Sequence, residues 1–489
     1  MTVQNESDAR DGTLMQASGT GAPASRPAPN TPGNPQEGHP RRWAIMGVLS
    51  TVASMALLDF FVVNVSLDGM SHSYPGSGIS ALSWVLNAYA IVFAAALVPA
   101  GRIADLWGRK RVLLTGIAVF TAASVLAAAA PDLAVLIIAR AIQAVGAAMI
   151  VPTTLGLLLP SFNKRQHTLV VGLWAGTGGV AASAGPPIGG LLVSISWRWI
   201  FLINLPIGIA TIIAGAILLP EIRQPKGTRL PDPASVIGLF AAVGLLILAT
   251  VQGPAWGWGN SRTIGLFIAA AVAAVATLQR TLRAASPVIE KRLFESRIFT
   301  ASAVGLILFS TGFSIFLLGG ALFMQNIWHY SALRAGSGIA PAPVVSIVFA
   351  VLAGPINKRF GRVLPTVTGT LAMTVAAVIW LLTVNTGSDY WTSLFPGLIA
   401  MGIAGGLTWA SMYAAAGTLP PDRATTGSAV LNMGRQIGAA IGIALLVVLT
   451  VGGDPIADYH HAWILQAALG VLAAGTIIAF GRQKKARGW

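Results

Sequence analysis

From Trp43 onward the chain is a succession of apolar runs of roughly 20 residues, the length of helix that crosses a bilayer's hydrocarbon core. No other feature constrains the fold as strongly. Within lipid a spanning segment satisfies its backbone hydrogen bonds only as a helix, and a barrel would show short alternating strands instead. The expected spans are 43–69, 81–101, 112–130, 133–159, 168–193, 199–220, 233–252, 263–279, 299–327, 335–355, 363–385, 391–418, 425–452 and 462–481, with 263–279 the weakest. These fourteen segments predict an all-α integral membrane protein. Composition agrees: 10% of residues are charged, against about 25% in soluble domains, which excludes a soluble enzyme.

Charge placement tests the count. With the N-terminus inside, 26 of the 31 Lys and Arg fall in cytoplasmic segments, three (Arg198, Arg262, Arg334) fall outside, and Arg140 and Arg435 lie within spans. Removing one span would invert every later loop and destroy that asymmetry. The topology therefore places both termini in the cytoplasm, and the net charge of +15 requires no nucleic-acid partner. Residues 1–42, rich in Pro, Gly, Ala and Ser, are expected to form a disordered cytoplasmic tail. A second short tail follows at 482–489.

An internal repeat divides the remainder. Gly101-Arg102-Ile103-Ala104-Asp105-Leu106-Trp107-Gly108-Arg109-Lys110-Arg111 follows the second span, and Gly354-Pro355-Ile356-Asn357-Lys358-Arg359-Phe360-Gly361-Arg362 follows the tenth. Both place a Gly, then Gly-Arg at the same offset. The interval is a six-helix repeat plus two inserted helices, so the expected units are a bundle at 43–220, a linker with two extra helices at 221–298 and a bundle at 299–481. Such repeats commonly enclose a site near the midplane between halves.

The chain has no Cys, no Gly-Lys dipeptide and no His-Glu-x-x-His. That leaves no thiolate metal site, no phosphate loop and no zinc motif, so the expectation is no enzyme, no metal and no cofactor. Energy for transport would come from an ion gradient or from the substrate's own.

Several segments together resemble one family. Leu58-Asp59-Phe60-Phe61-Val62-Val63-Asn64-Val65-Ser66-Leu67, Gly101 to Arg111, Arg140-Ala141-Ile142-Gln143-Ala144-Val145-Gly146-Ala147-Ala148, Gly172 with Gly185-Pro186 and Gly189-Gly190, and Ser196 to Gly208 occur in order on the expected helices. The chain resembles the major facilitator superfamily in its fourteen-helix drug:proton antiporter branch. Phe61 replaces the branch's usual Thr, Asp68 its Pro and Ala181 one Gly. The resemblance implies a fold of two six-helix bundles plus two inserted helices. It implies a latch at Gly101, Asp105, Gly108 and Arg109, and a bend at Gly185, Pro186, Gly189 and Gly190 that seals the interface between halves and favours export. Against this stand two plainer readings, that the loop cations fix topology and that the glycines are ordinary helix packing. The second copy has Lys358 where Asp105 stands, so only the first copy is expected to latch.

Ionisable groups inside lipid are expensive and usually face a cavity or a partner. Asp59 and Arg140 fall at similar depth in the same half and are expected to pair. Burial favours the neutral acid at Asp59 and Arg140 favours the carboxylate, so a site alternating between the two states could carry a proton. The alternative is a permanent ion pair locking two helices. Arg435 either caps backbone carbonyls or faces the cavity with Gln436, Asn432, Gln325 and Asn87; Trp84, Trp174, Trp409 and Tyr413 are aromatic candidates for the same wall. The expected function is a proton-coupled exporter of small lipophilic molecules, working as a monomer in lipid. An uptake symporter or facilitator, and a transporter-like sensor, remain the alternatives.

Overall fold

The computed structural model describes residues 39–74, 79–163, 165–222, 231–284, 286–387, 389–450 and 455–481. Most of the expected N-terminal tail, part of the 221–298 linker and the tail at 482–489 lie outside them. The long helices are α1 (Arg42–Val65), α2 (Trp84–Trp107), α3 (Arg109–Ala128), α4 (Leu133–Ser161), α5 (His167–Ile195), α6 (Asn204–Leu218), α7 (Pro233–Trp256), α8 (Ser261–Arg283), α9 (Arg297–Asn326), α10 (Pro341–Phe360), α11 (Val363–Thr383), α12 (Phe395–Tyr413), α13 (Ala424–Leu449) and α14 (Pro455–Gly481). Among the described residues thirteen segments are long and apolar enough to cross a membrane, against fourteen expected; in α5 the apolar stretch is the shorter Leu169–Gly178. The segment expected to be weakest is present as the 23-residue α8.

Side chains fix several helix starts. Asp132 accepts from the Val135 amide at α4, and Asp232 accepts from Ser235 at α7; both satisfy an amide that the helix itself leaves free. Arg280 grips the exposed Asp232 carboxylate from α8 at 2.8 and 2.9 Å and holds it well below the usual carboxylate range. Between α2 and α3 the chain turns on Gly108 at φ +114°, and between α10 and α11 on Gly361 at φ +76°. These are the two copies of the repeat, and each turn needs a residue without a Cβ.

α1 packs on α5, α2 on α4, and α3 on α4 and α6; α9 packs on α13 and α14, α10 on α12, and α11 on α12 and α14. Two seams join the six helices before α7 to the six after α8. α5 lies against α10 and α12, and α13 lies against α2 and α4. α7 packs on α8 and also across the second seam, on α2 and α13. α8 has three buried residues among those described, Thr263, Ala270 and Thr277, in a single stripe.

The buried apolar residues are distributed unevenly between the ends. At the end carrying the loops 101–111 and 354–362, here the basic end, one continuous cluster takes in both halves, from Ile45 and Leu155 to Phe299, Leu419 and Val430. Toward the opposite end it divides. One cluster around Val62, Trp197 and Phe201 belongs to the first half, and another around Phe316, Trp380 and Trp463 belongs to the second.

Candidate functional site

Asp59 of α1 is fully enclosed, and three side-chain N–H donors converge on it. Arg140 Nη1 lies 2.6 Å from Oδ2. The amides of Gln143 and Asn204 donate to Oδ1 at 2.9 and 3.0 Å. Ser124 Oγ accepts from the same two amides at 2.8 and 3.2 Å. Arg140 Nε donates to the Val85 carbonyl at 3.2 Å, and its guanidinium sits 4.2 Å over the Tyr89 ring. Arg140 and Gln143 share a helix face because they are three residues apart. Gly146 brings α4 close to α3, since a Cβ there would lie 2.7 Å from the Phe120 nitrogen. Removing two charges from water costs several kcal/mol each, offset only by good pairing and further hydrogen bonds.

At the basic end Asp105 differs from its expected placement. It was expected in a loop near the start of α3; instead α2 continues past 101 to Trp107 and Asp105 lies in its last turn, fully buried. Its carboxylate accepts from Arg109, four residues on, at 2.8 and 2.9 Å. Its other oxygen accepts from the Thr426 amide at 2.8 Å and the Thr426 hydroxyl at 2.7 Å. The helix start it caps is thus that of α13, in the opposite half, where free amides and the helix dipole both favour an anion. Arg109 Nη1 donates to the Gly156 carbonyl at 2.7 Å. The amides of Lys110 and Arg111, at the start of α3, donate to Glu221. In the second copy Asn357 donates to Ser411 Oγ at 2.9 Å, within the same half.

Both seams close on glycine. A Cβ at Gly101 would stand 2.6 Å from Ala429 Cβ, and one at Gly354 would stand 3.0 Å from Leu169 Cα. At Gly172 it would overlap the Ala350 carbonyl. Arg102 of α2 and Arg423, just ahead of α13, both pair with Glu290, the second at 2.6 Å.

At the expected gate, 185–190, Gly189 packs on Val62 of α1, inside its own half, and a Cβ at Gly190 would meet open space. Gly185 is buried, Pro186 lies within an uninterrupted α5, and its side chain is outside the described residues. The close approach of α5 to the other half falls at Gly172, a turn from the basic end.

The expected cavity set divides. The rings of Trp174 and Tyr413 meet across the seam at 5.8 Å, and Trp409 stacks on Tyr413 at 6.2 Å. Tyr413 donates to Asn432 Oδ1 at 3.0 Å, and Arg435 hydrogen-bonds the same tyrosine. These five form one contacting group near the basic end, here called the floor, in which Trp174, Tyr413 and Asn432 are buried. Trp84 and Asn87 lie in the first turn of α2, where Asn87 donates to Ser83 Oγ at 3.3 Å, and Gln325 lies in the last turn of α9. All three sit at the opposite end, away from the floor. Gln436 is half-buried on α13.

Gln143, Asn204, Ser124, Thr426, Glu221 and Glu290 had no expected role. The i,i+3 spacing of Gln143 from Arg140 was the one available signal. A separate cavity of about 940 Å³ lies between α2, α3, α4 and α7, lined by Pro99, Ile103, Trp107, Met149 and Phe240 with Arg111 at its edge. Its lining includes neither Asp59 nor any of the floor residues.

Residues 49–443 and 303–488 match the sequence profile of the Major Facilitator Superfamily. The chain is 28% identical to the tetracenomycin C resistance and export protein of Streptomyces glaucescens, over 88% of this chain and 80% of that protein. It is 34% identical to the methylenomycin A resistance protein of Streptomyces coelicolor, over 88% of this chain and 89% of that protein. Its fold matches the crystal structure of the human organic anion transporter MFSD10 with a TM-score of 0.68 at 14% identity, covering 90% of this chain and all of that one. Relatives along nearly the whole length and the same helical architecture lead to one conclusion: the chain is a multi-pass membrane protein with the major facilitator fold, and it belongs to the Major Facilitator Superfamily.

Proposed function

We propose that this protein exports small lipophilic molecules across the cell membrane in exchange for protons, by alternating access, with both termini and the basic end in the cytoplasm. The relatives' names, a tetracenomycin C export protein and antibiotic resistance proteins, support export of such compounds. The carrying observation is the enclosed Asp59 carboxylate, held by Arg140, Gln143 and Asn204 inside the first bundle. A buried carboxylate with a movable partner is a proton site by its chemistry.

The geometry supports the following cycle. With the basic end shut by Asp105–Thr426 and the glycine seams, the floor of Trp174, Trp409, Tyr413, Asn432 and Arg435 faces the opposite side. Residues 43–220 and 299–481 rock against one another. A proton taken at Asp59 frees Arg140 and Gln143, the packing of α1 on α4 changes, and the basic end opens to take the next substrate. The protein works as a monomer, since each element of this scheme lies within one chain.

Transport in proteoliposomes under an imposed pH gradient tests the reading. Substrate moving against protons supports exchange. Substrate moving with protons makes this an uptake symporter, and no movement of any compound makes it a sensor.

A further inference from the structure

We propose that Glu290, in the segment that follows α8, is a gate residue that holds the basic end shut by engaging both halves at once. Its carboxylate pairs with Arg102 of α2 through one oxygen and with Arg423, at the entry to α13, through the other. Arg102 is almost wholly buried and Glu290 largely so, at 3% and 16% side-chain exposure. The contacts are ion pairs rather than aligned hydrogen bonds, because Arg102 Nη1 and Arg423 Nε lack hydrogen-bond geometry.

The segment is seated firmly enough to act as a brace. The Ser286 carbonyl accepts from the Asp232 amide at 2.8 Å, tying it to the start of α7. Lys291 Nζ donates to the Leu282 carbonyl at 2.8 Å, at the end of α8. Val288 and Leu293 flank Glu290 and are fully buried in the apolar cluster shared by the two halves. α7 itself bears on α2 and α13, the same helices that carry Asp105 and Thr426. α7 therefore spans the seam, and the segment after α8 delivers an anion between two cations that belong to opposite halves.

Separation of α2 from α13 at this end leaves Glu290 able to keep one arginine and not both. An uncompensated buried cation is strongly unfavourable, so the pair of contacts favours the shut state. This rests on the alternating-access reading above. It also gives the inserted helices a part in the transport cycle.

The full chain has no Cys, so Arg165→Cys and Arg359→Cys, exposed at the basic end of opposite halves, provide a label pair for distance measurement in nanodiscs. Glu290→Gln is expected to raise the ratio of open to shut molecules about tenfold or more, with substrate affinity at the floor unchanged. Arg423→Gln should act in the same direction, and Glu290→Asp should recover part of the shut population. Asp105→Asn serves as the reference. If Asp105→Asn opens the basic end while Glu290→Gln and Arg423→Gln leave the distances unchanged, Glu290 is not a gate residue and alternating access stands. If none of the three moves the distances, alternating access itself fails. Should Glu290→Gln not fold, the Arg423→Gln and Glu290→Asp distances decide, and wild-type values in both overturn the proposal.

Discussion

At Asp59 three N–H donors from α4 and α6 meet one carboxylate, and the proposed proton exchange rests on that group. Asp59→Asn keeps the shape and removes the charge. The protein should fold and reach the membrane, with uphill efflux abolished; undiminished efflux against a gradient in this variant would show that the proton site lies elsewhere. Asn204→Ala removes one donor to Oδ1 and spares the ion pair. Exchange in this variant should be slower than in the wild type while the Asp59–Arg140 contact persists; an unchanged exchange rate would show that Asn204 does not support the site. Asp59 and Arg140 were legible in the sequence because a charge within an apolar run has few other uses. Gln143, Asn204 and Ser124 were not, because neutral polar side chains are common in membrane helices and only the packing of α3, α4 and α6 brings them together.

The two seams make separate contributions at the scale of helices. Asp105 caps α13 from α2 by accepting two hydrogen bonds from Thr426, and hydrogen bonds to a charged group contribute about 1.5–3 kcal/mol each. Asp105→Asn should therefore lower turnover several-fold and leave equilibrium substrate binding intact; loss of binding with unchanged state populations would remove the latch. The α5–α10 seam relies on shape instead. A Cβ at Gly172 would stand 3.0 Å from the Ala350 carbonyl carbon, and backbone yields less readily than a side-chain tip. Gly172→Ala should disfavour the shut state by about 1–3 kcal/mol, the usual range for overpacking, read as faster labelling of cysteines placed in the seam. The repeat in the sequence marked both seams and both turns at Gly108 and Gly361. Apolar periodicity carries no signal for where a helix stops once its polar residues are buried by another helix, which is why α2 was expected to end at 101 and Asp105 to serve α3. Glu290 lies far along the chain from Arg102 and Arg423, and no spacing rule could have joined them.

Across the molecule, apolar burial is continuous between halves at the basic end and divided at the other. The floor holds Arg435, Asn432 and three aromatic rings, of which those of Trp174 and Tyr413 are buried. The two fully enclosed acids nearest to it by sequence expectation, Asp59 and Asp105, are already committed to Arg140 and Arg109. Among the described residues the floor contains no carboxylate, and an unpaired buried charge costs several kcal/mol. Neutral compounds and carboxylates should compete better against transport than matched dications do, and the reverse ranking would mean that an acid from outside the floor reaches into it.

α8 leans on the rest of the protein along the single stripe of Thr263, Ala270 and Thr277, so lipid solvates nearly all of its remaining surface. A helix held along one edge tilts about that edge, and bilayer thickness governs the tilt. The segment bearing Glu290 hangs from its end. Membrane mechanics and the gate are therefore connected in series, like an oar and its lock: a thinner or thicker bilayer should change the turnover of the wild-type protein, and should change it less in Glu290→Gln, where the oar is no longer attached to anything that moves.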